Sequence, residues 1–173
     1  MRKNIVIAGF MGTGKSTVAK QLARKLKMEF VDMDQVIEEN KGMSIADIFA
    51  RYGEDYFRQQ ENKLVKELSQ RENMVIATGG GTLLSSDNAK ILSQKGEIIC
   101  LYADPTTIYN RVKSKNNRPL LREENVLESI NQLLKVRKKI YDNIKLKIDT
   151  SDLSIKEVVE RIIELLKGKG LNR

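Results

Sequence analysis

Histidine and tryptophan are absent from the 173 residues; cysteine occurs once, at Cys100, and proline only at Pro105 and Pro119. Each shortage excludes a chemistry. Without histidine the commonest general base and the histidine-ligated zinc centres are gone, so any proton transfer must use a carboxylate, a lysine or a tyrosine. A lone cysteine forms no internal disulfide, and within the apolar run Ile98-Ile99-Cys100-Leu101 it reads as a packing residue. No stretch of about 18 apolar residues occurs, which argues against a membrane-spanning helix. The first apolar segment starts within a few residues of Met1, leaving no room for a signal or transit peptide. The expectation is a cytoplasmic protein with no membrane partner, a monomer by default. The length suits one globular domain spanning 1–173, and neither repeats nor low-complexity segments interrupt it.

The net charge is +8, and from Arg111 to Lys147 there are 11 basic and 4 acidic residues, so the excess is concentrated in that region. A segment that meets several phosphates and an anionic substrate has this balance, and so does a solvated basic face. So local a surplus does not predict a nucleic-acid partner.

What the chain does contain is Gly9-Phe10-Met11-Gly12-Thr13-Gly14-Lys15-Ser16, a glycine, four residues, then Gly-Lys-Ser. Asn4-Ile5-Val6-Ile7-Ala8 before it reads as a strand buried on both faces. Val18, Leu22 and Leu26 after it recur at helical spacing, so the motif sits at a strand-to-helix turn. There glycines let the backbone curl round an anion, and the amides of the helix start point at it. Lys15 reaches the β- and γ-phosphates, and the Ser16 hydroxyl ligates a bridging magnesium ion.

Further along, Glu29–Asp34 reads as a second strand ending in Asp32 and Asp34, which two-residue spacing puts on one side. Asp34 is equally suited to capping the helix that follows. From Ser44 to about Arg71 the pattern is helical with a break at Gly53. Glu61 occupies an apolar stripe position with Phe57, Leu64, Val65 and Leu68, and Arg58, three residues away, is placed to pair with it. Met74–Thr78 is a third strand running into Gly79-Gly80-Gly81, which either approach a ligand closely or form a flexible turn. Glu97–Ala103 is a fourth strand, and Asp104-Pro105 opens a helix that carries Arg111. The basic segment around Arg118 and Arg122 reads either as a lid or as an ordinary surface loop. In the next helix Arg137 falls on the face of Ile130, Leu133, Leu134 and Tyr141, where an unpaired guanidinium is costly. It should meet an anion or an acid. Lys145–Asp149 is a fifth strand, and a closing helix from Ile155 ends by Gly168.

Taken together these motifs resemble the shikimate kinases, from about Asn4 to Leu166. The matching residues are the 9–16 loop, Asp32-Met33-Asp34, Gly53-Glu54 with Phe57-Arg58 and Glu61, Gly79-Gly80-Gly81, Arg118-Pro119-Leu120-Leu121, and Leu134 with Arg137 and Tyr141. The resemblance implies a three-layer α/β/α P-loop kinase fold with a five-stranded parallel sheet of order 2-3-1-4-5. It also implies a helical substrate-binding segment at about 34–61 and a lid at about 112–124. The implied reaction is phosphorylation of the shikimate 3-hydroxyl by ATP with Mg2+.

By the same resemblance Asp34 holds the substrate hydroxyls and acts as base, with Lys15 and Arg118 stabilising the transferring group. Arg58 and Arg137 bind the substrate carboxylate, Glu61 orients, and Gly79, Gly80 and Gly81 line the ring. Gly12, Thr13, Gly14, Lys15, Ser16 and Thr17 hold the nucleotide phosphates, Arg111 packs on adenine, and Ser16 and Asp32 attend magnesium. One departure concerns the adenine end: Thr150-Ser151-Asp152-Leu153 stands where members often have a proline. Rival readings are a nucleoside monophosphate kinase or a gluconate-type kinase, and, from another class, an idle nucleotide-sensing or nucleic-acid-binding paralogue. The Asp-Gly-x-Pro-Arg segment of adenylate kinases and the Asn-Lys-x-Asp segment of GTPases are both missing.

Overall fold

Apolar, β-branched runs form the strands, and their period of two sends alternate residues to opposite faces. In the computed structural model, which describes residues 3–113 and 125–169, these runs are β1 (Asn4–Gly9), β2 (Glu29–Asp32), β3 (Met74–Ala77), β4 (Gly96–Tyr102) and β5 (Leu146–Asp149). They make one parallel sheet in the expected order β2-β3-β1-β4-β5, with Val6 beside Ile76 on one flank and Ile98 on the other. Ile5, Ile7, Val75 and Leu101 face α1 (Lys15–Leu26) and α7 (Ile155–Gly168). Val6, Ala8 and Ile76 face α2 (Met33–Lys41), α3 (Ile45–Leu68) and α4 (Ser86–Lys95). Each fully buried aliphatic side chain contributes about 1.5–3 kcal/mol, so the two faces together hold the layers. A third cluster packs Phe10 and Met11 against α5 (Pro105–Val112) and α6 (Val126–Asp142).

Local chemistry sets the boundaries. Asp104 accepts from the Thr107 amide at 2.9 Å with proline in the first turn of α5, as its sequence predicts. Gly53 (φ 81°, ψ 171°) breaks α3 where expected. Two expectations are corrected. β2 stops at Asp32 rather than Asp34, because the Asp32 carboxylate accepts from the amides of Asp34 (3.1 Å) and Gln35 (3.3 Å) and starts α2 there. α7 runs through Gly168 instead of stopping before it. The expected lid at about 112–124, except for Val112 and Lys113, lies outside the described residues.

Because all strands are parallel, their carboxyl ends share one edge, and there the chain leaves β1 for α1 on one face of the sheet and the neighbouring β3 for α4 on the other. That topological switch is where open α/β sheets bind ligands. Away from it, Cys100 is 1 % exposed, and burial pushes its thiol up to about 11. A thiolate-directed reagent at mildly alkaline pH should leave the folded protein unlabelled and modify one thiol per chain in denaturant; rapid native labelling would contradict this packing.

Candidate active site

Residues 10–14 turn tightly between β1 and α1. Gly14, with φ 92°, sits immediately before α1 in a left-handed conformation that side chains resist. The Phe10 carbonyl accepts from the Thr13 hydroxyl (2.7 Å) and from Lys15 Nζ (3.0 Å), closing the loop on itself. Thr13 is thereby buried, and its side chain faces the protein rather than the cavity. Of the seven α-helices among the described residues, α1 alone has no side chain capping its first amides. Asp32, Ser44, Ser85, Asp104, Asn125 and Ser154 cap the others. An uncapped helix start, with its positive dipole end and a lysine beside it, is complementary to phosphate.

Arg111 braces this loop from behind. Its guanidinium donates to the Gly12 carbonyl (3.3 Å), the Thr150 hydroxyl (3.1 Å) and the Thr150 carbonyl (2.6 Å). Thr150 Oγ1 also lies 3.2 Å from the Thr13 carbonyl and 3.1 Å from that of Tyr102. The residue after β5 therefore ties the glycine loop to two strand ends. Nothing in the sequence marks Thr150 for this, because it sits 137 residues from Thr13 and in no periodic stripe.

A cavity of about 710 Å³ runs from the loop across the carboxyl edge of the sheet. Lys15, Ser16 and Thr17 line one end with Arg111 and Leu153–Ile155; Asp34, Arg58, Gly79–Gly81 and Arg137 line the other, and Asp32 borders it too. Asp34 reaches it from the first turn of α2, not from a strand. The convergence of Asp32 and Asp34 thus survives although the strand-alternation reason for it does not.

The charges at apolar stripe positions are buried and partnered. Glu61, 1 % exposed, accepts from Arg58 Nη1 on one oxygen and from the Thr82 hydroxyl (2.6 Å) on the other. Arg58 also donates from Nε (3.1 Å) and Nη2 (2.8 Å) to Glu54. Burial works against the Arg58 charge, but Glu61 and Glu54 outweigh it and hold its pKa above the ordinary arginine value. Arg137, 3 % exposed, lies over the Phe10 ring at 5.4 Å and donates from Nη1 to the Gly80 carbonyl at 2.9 Å. Thr82 and Tyr141, whose hydroxyl also donates to Gly80, are contributors to which sequence reasoning gave no role.

Two of the three glycines make room for charged side chains. A Cβ on Gly79 would stand 2.5 Å from Glu61 Oε1 and 2.8 Å from Asp34 Oδ1, and one on Gly81 2.6 Å from both terminal nitrogens of Arg58. Their missing side chains admit the charged residues of the site. Arg118 lies outside the described residues.

Ser16 supplies a hydroxyl and Asp32 a carboxylate on the same cavity, and no group of three or more carboxylates gathers among the described residues. This donor set fits magnesium, which keeps several waters and is held by one or two protein oxygens plus substrate phosphates.

Fold and site together define a P-loop kinase: a phosphate loop at the switch point of a parallel sheet, facing a second, carboxylate-and-arginine end of one cavity. The family model described as shikimate kinase matches residues 11–167. A shikimate kinase of Pelotomaculum thermopropionicum is 48 % identical over 165 residues, 95 % of this chain and 96 % of that protein; one from Thermodesulfovibrio yellowstonii is 46 % identical over 94 % of each. The structure of shikimate kinase from Acinetobacter baumannii in complex with shikimate superposes with a TM-score of 0.94 at 35 % identity, over 99 % of this chain and 97 % of that one. The chain belongs to the shikimate kinase family.

Proposed function

We propose that the chain transfers the γ-phosphoryl group of ATP to the 3-hydroxyl of shikimate, giving shikimate 3-phosphate and ADP on the route to chorismate and aromatic amino acids. The observation that carries this reading is one cavity with an uncapped helix start at one end and, at the other, Asp34 together with Arg58 and Arg137, each arginine held by partners of its own. Arg58 and Arg137 bind the substrate carboxylate, and Glu61 fixes the Arg58 fork, which suits planar, bidentate recognition. Gly79, Gly80 and Gly81 line the ring.

Asp34 orients the acceptor hydroxyl and takes its proton as the oxygen attacks the γ-phosphorus and the bond to the ADP oxygen breaks. Lys15 neutralises charge on the transferring group, and Arg118 adds to this from the lid at about 112–124. The amides from Gly12 through Thr17 cradle the phosphates, and Arg111 packs against adenine. Ser16, and Asp32 through water, would hold Mg2+, which when bound draws charge off the phosphate oxygens. Phosphoryl transfer asks for positioning and charge neutralisation, and both ends of the cavity provide them.

The reading is of a monomer acting on a small molecule. No helix among the described residues is long and apolar enough to cross a membrane; the reading is of a cytoplasmic enzyme with no membrane or nucleic-acid partner. ADP release measured with shikimate, gluconate and nucleoside monophosphates in turn tests the reading. Shikimate alone should stimulate release, and no stimulation by shikimate would overturn it.

A further inference from the structure

The triglycine turn has little to fix it from within. Its own hydrogen bonds are the Thr82 amide to the Gly79 carbonyl at 3.4 Å and the Leu84 amide to the Gly81 carbonyl at 3.0 Å. Three successive residues without side chains would otherwise sample many backbone states. What holds the middle peptide comes from α6, where Arg137 and Tyr141 stand one turn apart and converge on a single acceptor. Arg137 Nη1 donates to the Gly80 carbonyl at 2.9 Å and the Tyr141 hydroxyl at 2.5 Å. A carbonyl oxygen has two lone pairs, so both donors are satisfied at once. Burial pushes the Tyr141 hydroxyl up to about 12, against the pull of Arg137, so it stays a neutral donor through the physiological range.

The two donors are not equivalent. Resting on the reading that Arg137 binds the substrate carboxylate, its guanidinium has two anionic or polar clients, the Gly80 carbonyl and the substrate. Tyr141 has one. We propose that Tyr141 is a positioning residue that keeps the Gly80 carbonyl satisfied, so that Arg137 can turn its donors to the substrate carboxylate while the glycine turn stays in place. Without the hydroxyl, Gly80 depends on Arg137 alone, and substrate binding must compete with a half-buried carbonyl for the same guanidinium.

The test is a double-mutant cycle of Tyr141→Phe and Arg137→Lys, read as separate kcat and KM values for shikimate and ATP, with thermal melts confirming that each variant is folded. Tyr141→Phe alone should raise the shikimate KM about five- to tenfold, with kcat and the ATP KM changed less than about twofold. In the Arg137→Lys background the same change should alter the shikimate KM less than about twofold, because the guanidinium whose donors Tyr141 keeps available is gone. An unchanged shikimate KM in Tyr141→Phe, an equal loss in both backgrounds, or a parallel loss for ATP would each overturn the role given to Tyr141. If Arg137→Lys itself leaves the shikimate KM unchanged, the carboxylate reading of Arg137 fails and this inference with it, an outcome distinguishable from failure of Tyr141 alone.

Discussion

Replacing Asp34 with Asn is expected to lower kcat about 10³-fold, within the 10²–10⁴ range of a lost general base, and to change nucleotide affinity less than about twofold. The substitution is almost isosteric and removes a carboxylate at the acceptor end of the cavity. It leaves the start of α2 intact, because Asp32 caps that helix through the backbone amides of Asp34 and Gln35, not through the Asp34 side chain. The phosphate loop is held by the bonds of Thr13 and Lys15 to the Phe10 carbonyl and by Arg111 on the Gly12 carbonyl. Steady-state turnover at saturating shikimate, set beside an equilibrium nucleotide titration, separates the two ends of the site. Turnover close to that of the unaltered enzyme would remove the base role and leave Asp34 only a holder of hydroxyls.

Asp34 also shows where sequence reading reaches and where it stops. A carboxylate near the end of an early strand in a parallel sheet is legible as a site residue, because strand ends of one direction gather at one edge. The element that carries it was not, since both aspartates are good caps, and only geometry decides which accepts the amides. Glu61 and Arg137 were legible for a stronger reason: a charge at an apolar periodic position is costly, so its presence announces a partner. Their partners were half visible. Arg58 stands three residues from Glu61, but Thr82, Gly80 and Phe10 lie on other elements and follow no period. The bracing of the loop by Arg111 and Thr150 left no trace in the sequence at all. Such hydrogen bonds depend on how strand ends line up, and that is fixed by packing of the whole sheet.

The three glycines look interchangeable in the sequence and are expected to behave differently on substitution. In the ligand-free protein Gly79→Ala should cost about 1–3 kcal/mol, the scale of inserting a methyl into a packed interior, whereas Gly80→Ala should be nearly neutral. A methyl on Gly80 meets its nearest neighbours at ordinary distance, Met11 N at 3.5 Å and Arg137 Nη1 at 3.6 Å. One on Gly79 meets Glu61 Oε1 at 2.5 Å, Asp34 Oδ1 at 2.8 Å and Thr82 Oγ1 at 3.1 Å, so something must move. Glu61 and Thr82 are both 1 % exposed and bonded to each other, and Glu61 also holds Arg58. Asp34, half-buried in the first turn of a helix, is the least enclosed of the three. The methyl would therefore turn the carboxylate proposed as the base away from the acceptor hydroxyl, and kcat should fall about 10²–10³-fold, most of the way to the loss in Asp34→Asn. Combining the two substitutions should add little to kcat, since both remove the same proton acceptor. Equal melting temperatures for Gly79→Ala and Gly80→Ala would mean that the carboxylates yield cheaply. Full additivity in kcat would mean that Gly79 serves the reaction by some route other than seating Asp34.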